Sequence, residues 1–263
     1  MTQNNTSRQS LTVVKVGGAV VEDDSRLAAL LDSFSRISGA KILVHGGGRS
    51  ATKIAAALGI ESKMVDGRRV TDAEMLRIVT MVYGGLVNKN VVAQLQARGE
   101  NAVGLTGADM DVIRSHKRPV KDVDYGFVGD VDRVDAAVLQ NLINQGATPV
   151  MAPLTHDGQG HILNTNADTI AAETAKAMSA SYDVTLVYAF EKKGVLANPD
   201  DDNSVIRHIN KEEYALLKSQ GAIAGGMVPK LDNAFSAIER GVGRVAITAN
   251  TDLTVEEGTI LSE

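Results

Sequence analysis

The sequence predicts an α/β fold, a three-layer α/β/α sandwich around a mainly parallel sheet, with two lobes that share an active-site cleft. Short apolar runs rich in β-branched residues alternate with amphipathic helical segments from the start of the chain. The first four are a strand at 11–16, a helix at 26–37, a strand at 41–45 and a helix at 50–58. This β-α-β-α order is typical of a parallel sheet covered by helices on both faces.

The same alternation continues along the 263-residue chain, with one stretch of different pattern. Polar and apolar positions alternate between residues 110 and 134, which predicts hairpins. A long helical region, 72–98, is expected to break near Gly84 and Gly85. The other predicted elements are helices at 135–144, 167–178, 211–219 and 229–240, strands at 148–152, 183–190 and 244–248, and a hairpin at 156–163. We expect the lobe boundary near residues 178–183.

Composition excludes several classes of function. The chain has no cysteine, so disulfides, thiolate metal sites and cysteine nucleophiles are excluded. The net charge of −5 comes from interspersed acidic and basic residues, whereas a nucleic-acid surface needs clustered cations. The first ten residues are polar, unlike a signal peptide, and no apolar run approaches the roughly 18 residues of a membrane helix. We therefore expect a cytoplasmic protein that binds neither nucleic acid nor membrane.

Two glycine clusters follow the first two predicted strands. Residues 15–18 (KVGG) close the first strand, and residues 45–48 (HGGG) close the second just before a helix. Glycines there let backbone N–H groups approach a phosphate, and a helix N-terminus adds a favourable dipole. Lys15 would add a point charge, whereas His45 is assigned no proton-transfer role. Tight turns without a ligand remain the alternative interpretation of both clusters.

Three further segments carry charged residues in unusual places. The arginine pair at 68–69 suits capture of a substrate carboxylate, with two solvated arginines as the alternative. In residues 164–168 (NTNAD), Asn166 is expected to cap a helix. Asp168 could place a negative charge in the first turn of that helix or orient a lysine. In residues 225–230 (GGMVPK), Lys230 stands in a first helical turn against the dipole, which indicates a site. Glycine clusters, two lysines and an aspartate are what phosphoryl transfer requires.

Eight sequence blocks in order resemble the amino acid kinase family, and within it the kinases of acylated glutamate. They are KVGG from residue 15, HGGGRSATKIAAALGI from 45, VDGRRVTDAEML from 65, GLTGADMDVI from 104, VDYGFVGDVDRVD from 123, TPVMAP from 148, NTNAD from 164 and GGMVPK from 225. The resemblance covers residues 11 to about 248, nearly the whole chain. It implies the amino acid kinase fold and a phosphotransferase that uses ATP and Mg²⁺. The γ-phosphate would move to the γ-carboxylate of N-acetyl-L-glutamate, a step of arginine biosynthesis.

The resemblance also implies roles for individual residues. Lys15 and Lys230 would contact the transferred phosphoryl group, and Asp168 would hold both lysines. Arg69 and Asn164 would bind the α-carboxylate of the substrate. Backbone N–H groups that would bind phosphate oxygens are those of Gly17, Gly18, Gly46 and Gly47. Nucleotide contacts would come from Glu191, Gly194 and Lys230, and no protein side chain is expected to bind a metal.

Three features depart from the family pattern or extend it. Glu191 stands where the family usually has an aspartate, and two lysines follow it. Leu163 and Thr165 are unusual in their segment, so N-succinyl-L-glutamate stays open as the alternative substrate. Only about ten residues precede the first strand, whereas arginine-inhibited members of the family carry a longer N-terminal helix that links dimers into hexamers, so the resemblance implies a homodimer that is insensitive to arginine. The N-terminal lobe, 1–178, would bind the acylglutamate and dimerise, and the C-terminal lobe, 179–263, would bind ATP.

Other functions remain as alternatives. A related kinase of carbamate, aspartate or a uridylate is the nearest one, and a catalytically silent regulatory member of the fold is a second. Loss of Lys15, Asp168 or Lys230 would have indicated a silent member, and all three residues are present.

Overall fold

A computed structural model describes residues 8–65, 67–198, 200–223 and 227–263. Gly225 and Gly226, part of one predicted glycine cluster, lie outside these residues. The strands are β1 (Ser10–Val16), β2 (Ala40–His45), β3 (Met64–Val65), β4 (Arg68–Arg69), β5 (Ala102–Leu105), β6 (Ile113–Lys117), β7 (Gly129–Val134), β8 (Thr148–Met151), β9 (Leu154–His156), β10 (Ile162–Asn164), β11 (Asp183–Phe190), β12 (His208–Ile209), β13 (Arg244–Ala249) and β14 (Thr259–Leu261). The α-helices are α1 (Gly18–Val21), α2 (Asp24–Arg36), α3 (Gly48–Ala57), α4 (Ala73–Val79), α5 (Asn88–Gln96), α6 (Ala136–Asn144), α7 (Ala167–Met178), α8 (Lys211–Ser219) and α9 (Met227–Glu239).

Eight strands form the main sheet, in the order β12-β14-β13-β11-β1-β2-β8-β5. Every neighbouring pair is parallel except β13 and β14. The predicted mainly parallel sheet is therefore confirmed. The carboxyl ends of parallel strands meet at one edge, so the segments that follow β1, β2 and β11 are brought together there.

Helices cover both faces of the main sheet, which confirms the three predicted layers. Alternate residues of each central strand enter different cores, as the period of two requires. Val13 and Leu186 pack in the core that contains α7 and α9 residues such as Ile170 and Leu231. Val14 packs on the opposite face, in the core that contains the buried residues of α2. Such strands are buried on both faces, which explains their continuous apolar sequences.

A smaller sheet and a short ribbon lie beside the main sheet. The order β10-β9-β6-β7 contains two antiparallel pairs, β6 with β7 and β9 with β10, so hairpins occur where they were predicted. The pairing of β6 with β7 shifts between Arg114 and Ser115. The ribbon pairs β3 with β4 and brings Arg69 to the edge of the site.

The long helical region differs from its prediction. It does not break at Gly84 and Gly85 but passes through a π-helix, Thr80–Val87, that links α4 to α5. A Cβ at Gly84 would lie 3.4 Å from side-chain atoms of both Leu154 and Thr106, so glycine permits close packing here. That packing offsets the propensity cost of glycine, about 1 kcal/mol, on which the expected break was based.

The proposed boundary between lobes falls between neighbouring strands of one sheet. All seven residues of β1 pair with β11, although the two strands belong to different predicted lobes. The division into residues 1–178 and 179–263 stays a prediction. No helix within the described ranges combines the length and apolarity needed to cross a membrane.

Candidate active site

The candidate site lies at the carboxyl ends of β1, β2 and β11. Lys15, near the end of β1, is 12% exposed and its ammonium lies 2.7 Å from a carboxylate oxygen of Asp168. Asp168 stands in the first turn of α7 because Asn166 caps that helix, accepting hydrogen bonds from the N–H groups of Asp168 and Thr169. The capping role predicted for Asn166 is confirmed, and the cap orients the carboxylate towards β1.

The two glycine clusters cross each other at van der Waals distance. A Cβ at Gly46 would lie 2.9 Å from the nitrogen of Gly18, and one at Gly18 would lie 3.3 Å from the nitrogen of Gly47. Side chains at these positions would push the loops apart. The close approach of the two backbones therefore requires glycine at Gly46, whereas a Cβ at Gly18 would need the neighbouring loop to shift only slightly.

Of the four glycines whose backbone N–H groups were predicted to bind phosphate, one has an N–H group that is already hydrogen-bonded. The N–H group of Gly46 donates to the carbonyl oxygen of Val16 over 3.0 Å, so it is engaged within the fold rather than free for a phosphate. Among the described residues, the N–H groups of Gly17, Gly18 and Gly47 have no backbone or side-chain acceptor. Gly46 thus sets the spacing of the loops, and the other three keep donors for a ligand.

Lys230 reaches the same cavity from the first turn of α9. Burial lowers the pKa of its ammonium, an effect opposed by the charges of Glu191 and Asp168 and reinforced by Lys15. Its Nζ lies 4.2 Å from the ring centroid of Phe190. In the part of the chain that the structure describes, Asp168 forms an ion pair with Lys15 but none with Lys230, although its charge raises the pKa of Lys230; that Asp168 holds both lysines stays a prediction.

Arg69 and Asn164 lie together in the cleft, in the part that is also lined by the NTNAD segment. Arg69 is 8% exposed, and its guanidinium donates to the carbonyl oxygen of Gly48 over 2.7 Å and to the hydroxyl of Thr52 over 2.8 Å. The amide of Asn164 donates to the hydroxyl of Thr71 over 2.9 Å. These bonds fix both side chains, and they attach Arg69 to the HGGG loop.

Two adjoining cavities make up the cleft. The larger has a volume of about 1000 Å³ and is lined by Lys15, Gly17, Gly18, Lys230 and Glu191. The smaller, about 250 Å³, is lined by Gly47, Arg69, Asn164 and residues of the NTNAD segment. Asp168 and Arg69 line both, so the two cavities adjoin at these residues.

Glu191 and Gly194 were both predicted to bind nucleotide, but only Glu191 lines the cleft. Glu191 lines the larger cavity, and its carboxylate pairs with Arg26 over 2.8 Å. Gly194 lines neither cavity, and a Cβ there would lie 2.6 Å from the hydroxyl of Thr259. Gly194 therefore allows the segment after β11 to pack against β14.

Several residues of the cleft were absent from the sequence prediction, among them Tyr83, Arg118, Tyr188, Phe190 and Asn233. Tyr83 and Asn233 come from helices whose rotation about their axes was not predictable from the sequence. Phe190 directly precedes Glu191, in the segment already noted for departing from the family pattern. That departure was the signal that could have identified it.

His45, at the end of β2, is a buried structural residue. Burial lowers the pKa of its imidazole to about 4. Nδ1 lies 2.7 Å from the carbonyl oxygen of Gly46, so it carries the proton, and Nε2 accepts from the amide of Asn88 over 3.1 Å. A second proton would put two donors face to face, which agrees with the absence of a proton-transfer role.

The low pKa of His45 predicts a dependence of stability on pH. In the unfolded chain this histidine takes up a proton below about pH 6.5, whereas in the folded chain it does so only near pH 4. The contribution of neutral His45 to the free energy of unfolding is therefore complete above pH 6.5 and is lost as the pH falls towards 4. Acidification from pH 7 to 5 should cost about 2 kcal/mol through this group. We expect His45→Asn to flatten the pH dependence of the free energy of unfolding, measured with urea.

The matched control is His208→Asn, because His208 is exposed on β12. It should leave the pH dependence as in the wild type. Equal slopes for wild type and His45→Asn between pH 7 and 5 would contradict the prediction.

The sequence profile described as the amino acid kinase family matches residues 10–249. The chain belongs to the amino acid kinase family. Acetylglutamate kinase of Bacteroides thetaiotaomicron is 67% identical over 252 residues, which cover 96% of this chain and 98% of that protein. Acetylglutamate kinase of Methanopyrus kandleri is 40% identical, over 95% of this chain and 100% of that protein.

Solved structures agree with this membership of the amino acid kinase family. A Streptococcus mutans protein superposes with a TM-score of 0.77 at 26% identity, covering 96% of this chain and 98% of that one. Carbamate kinase from Giardia lamblia bound to AMP-PNP has a TM-score of 0.66 at 15% identity, covering 98% and 99%. The second likeness concerns the fold alone. The predicted amino acid kinase fold is thus confirmed.

Proposed function

We propose that this protein transfers the γ-phosphoryl group of ATP to the γ-carboxylate of N-acetyl-L-glutamate, a step of arginine biosynthesis. The observation that carries the proposal is the convergence of Lys15, Asp168 and Lys230 beside free glycine N–H groups, next to a cavity that holds Arg69 and Asn164. The high identity to proteins named acetylglutamate kinase supports the same reaction. Membership of the family supports ATP as the phosphoryl donor.

The chemistry of this reaction suits the groups present. The nucleophile is a carboxylate, which is already ionised at neutral pH, so no general base is needed. The difficulty is to bring two anions together. Lys15 and Lys230 supply positive charge, and the N–H groups of the glycine loops supply fixed dipoles where charge develops. Asp168 keeps the ammonium of Lys15 in place through the 2.7 Å ion pair.

The two cavities suit the two substrates. The larger one has room for nucleotide phosphates beside Lys15 and Lys230, with Glu191 on the nucleotide side. The smaller one suits an acylated amino acid, whose α-carboxylate would bind Arg69 and Asn164. Gly194 would contribute only indirectly, through the shape of the segment after β11.

We infer that Mg²⁺ accompanies the nucleotide and is held mainly by phosphate and water oxygens. The charges of the larger cavity fit this arrangement, because its two carboxylates are already engaged. Asp168 pairs with Lys15 and Glu191 pairs with Arg26. The ion would supply further positive charge on the nucleotide phosphates.

N-succinyl-L-glutamate is a second candidate substrate, favoured by one observation. The smaller cavity is also lined by Arg68 and Arg118, beyond the residues proposed for the α-carboxylate. Arg118 pairs with Asp130 over 2.6 Å, but its Nη1 is buried without a hydrogen-bond acceptor among the described residues. A buried donor of this kind suits a second carboxylate on the acyl group.

ADP release, measured with N-acetyl-, N-succinyl- and free L-glutamate, tests the function and the acyl group. The proposal expects turnover with an acylated substrate and at most weak turnover with free glutamate. Arg118→Ala should impair the succinylated substrate selectively if that is the natural one, and should leave N-acetylglutamate nearly unaffected. Absence of ADP release with both acylated substrates would refute the proposed function.

We also infer a homodimer in the cytoplasm. The π-helix carries two exposed apolar side chains, Met81 and Leu86, at 56% and 59% exposure. Pairing of this surface between two copies would remove both from water. Molar mass by light scattering tests this, and Met81→Glu with Leu86→Glu should give a monomer if the pairing is correct.

A further inference from the structure

We propose that Phe190 is a positioning residue for phosphoryl transfer, because its ring face holds the ammonium of Lys230 in the larger cavity. This inference rests on the proposed function and deepens it. The Nζ of Lys230 lies 4.2 Å from the centroid of the Phe190 ring, well within the distance of about 6 Å at which a cation is attracted by an aromatic face. Both residues line the larger cavity together with Lys15.

The surroundings of Lys230 disfavour its positive charge, which an aromatic partner stabilises. Its place in the first turn of α9 is electrostatically unfavourable, because a helix N-terminus carries partial positive charge. Lys15 adds repulsion from across the cavity. The charges of Asp168 and Glu191 attract the ammonium, but among the described residues these carboxylates form their ion pairs with other cations, Asp168 with Lys15 and Glu191 with Arg26. Within the described ranges, the ring of Phe190 is the close partner that the Lys230 ammonium has.

Phe190 is itself held by a second ring. Tyr188 and Phe190 are two residues apart on β11, so their side chains leave the same face of the sheet. Their ring centroids are 6.2 Å apart and their planes differ by 18°, which is a stacked arrangement. Tyr188 is 1% exposed and pairs in register with Lys15 on β1. The stack therefore links the position of Lys230 to the rigid centre of the sheet.

An aromatic partner has a chemical advantage over a carboxylate at this position. A carboxylate would neutralise the charge of Lys230 and occupy its N–H donors. A ring attracts the cation through its quadrupole and leaves the full charge and all three donors available for phosphoryl oxygens. Lys230 is thus placed ready to stabilise charge that develops only during transfer.

The test replaces Phe190 by phenylalanines carrying one, two and three ring fluorines, which weaken the quadrupole while changing ring size little. We expect kcat to fall stepwise with each fluorine, by about 5- to 10-fold in total, with KM for the acylglutamate within about twofold. Phe190→Leu should show a loss of similar size. Phe190→Tyr, which keeps the ring face, should retain kcat near the wild-type value.

Phe34 provides the matched control, since the ammonium of Lys41 lies 5.2 Å from its ring centroid in the core, and Phe34 lines neither cavity of the cleft. The same fluorinated series at Phe34 should leave kcat unchanged. A flat series at Phe190 in an active wild-type enzyme would overturn this inference alone. A wild-type protein inactive with both acylated glutamates would remove the proposed function, and this inference with it.

Discussion

Replacement of Lys230 by alanine is expected to lower kcat by about 10²- to 10³-fold, the usual cost of removing one group that stabilises developing charge. The ammonium lies in the larger cavity with Lys15, on the side where nucleotide phosphates would bind. In the proposed reaction its interaction would strengthen as negative charge spreads over the moving phosphoryl group, so the loss should fall on kcat rather than on binding of the acceptor. KM for the acylglutamate should stay within about threefold. Steady-state kinetics at saturating ATP measure both quantities.

Lys211→Ala is the matched control for this prediction. Lys211 lies in the same predicted lobe and pairs with Glu239 over 2.6 Å, but both side chains are more than half exposed. Removing it should leave kcat unchanged, because an exposed pair contributes little. A kcat for Lys230→Ala equal to that of Lys211→Ala would show that Lys230 does not act on the transferred group.

Arg69→Ala should have the opposite kinetic signature. We expect KM for the acylglutamate to rise by about 10- to 100-fold, because a hydrogen-bonded contact to a charged group contributes about 1.5–3 kcal/mol. The effect on kcat should be smaller, since the contact proposed for the guanidinium is with the α-carboxylate and not with the transferred phosphoryl group. Arg69→Lys should also bind weakly, because an ammonium lacks the planar fork that matches a carboxylate.

Arg69 also has a structural role that the experiment must separate from binding. Its bonds to Gly48 and Thr52 tie β4 to the HGGG loop, so thermal unfolding should accompany the kinetics. Arg77→Ala, at an exposed position of α4, is the control for general loss of charge. An unchanged KM in a folded Arg69→Ala protein would exclude Arg69 from substrate binding.

The parts of the site that sequence reasoning located are those governed by strand ends. Lys15 lies near the end of β1 and the glycines follow β1 and β2, and parallel pairing brings the carboxyl ends of these strands to one edge. Asp168 joins them because the cap at Asn166 starts a helix at the right point, and capping residues are readable from sequence. The bounds of the helices and strands with long, strongly periodic patterns were predicted to within a few residues, because such periodicity is also readable from sequence.

Other features depend on contacts that no local pattern encodes. Strands β12 and β14 have two and three residues, too few to show alternation. The π-helix follows from close packing at Gly84, which propensity alone does not reveal. The engagement of the Gly46 N–H by Val16 depends on the register of β1 with β2. The contact between Phe190 and Lys230 joins a strand to a helix that is distant in sequence.

The pairing of β1 with β11 has a mechanical consequence. These strands belong to different predicted lobes and carry Lys15 and Phe190, yet seven consecutive residue pairs join them within one sheet. A free hinge between the two predicted lobes would require the hydrogen bonds between β1 and β11 to break. Entry and release of ligands would instead involve twisting of the sheet and movement of the loops and helices at its edge, so strain introduced on the β11 side of Lys15 would be transmitted to the β1 side.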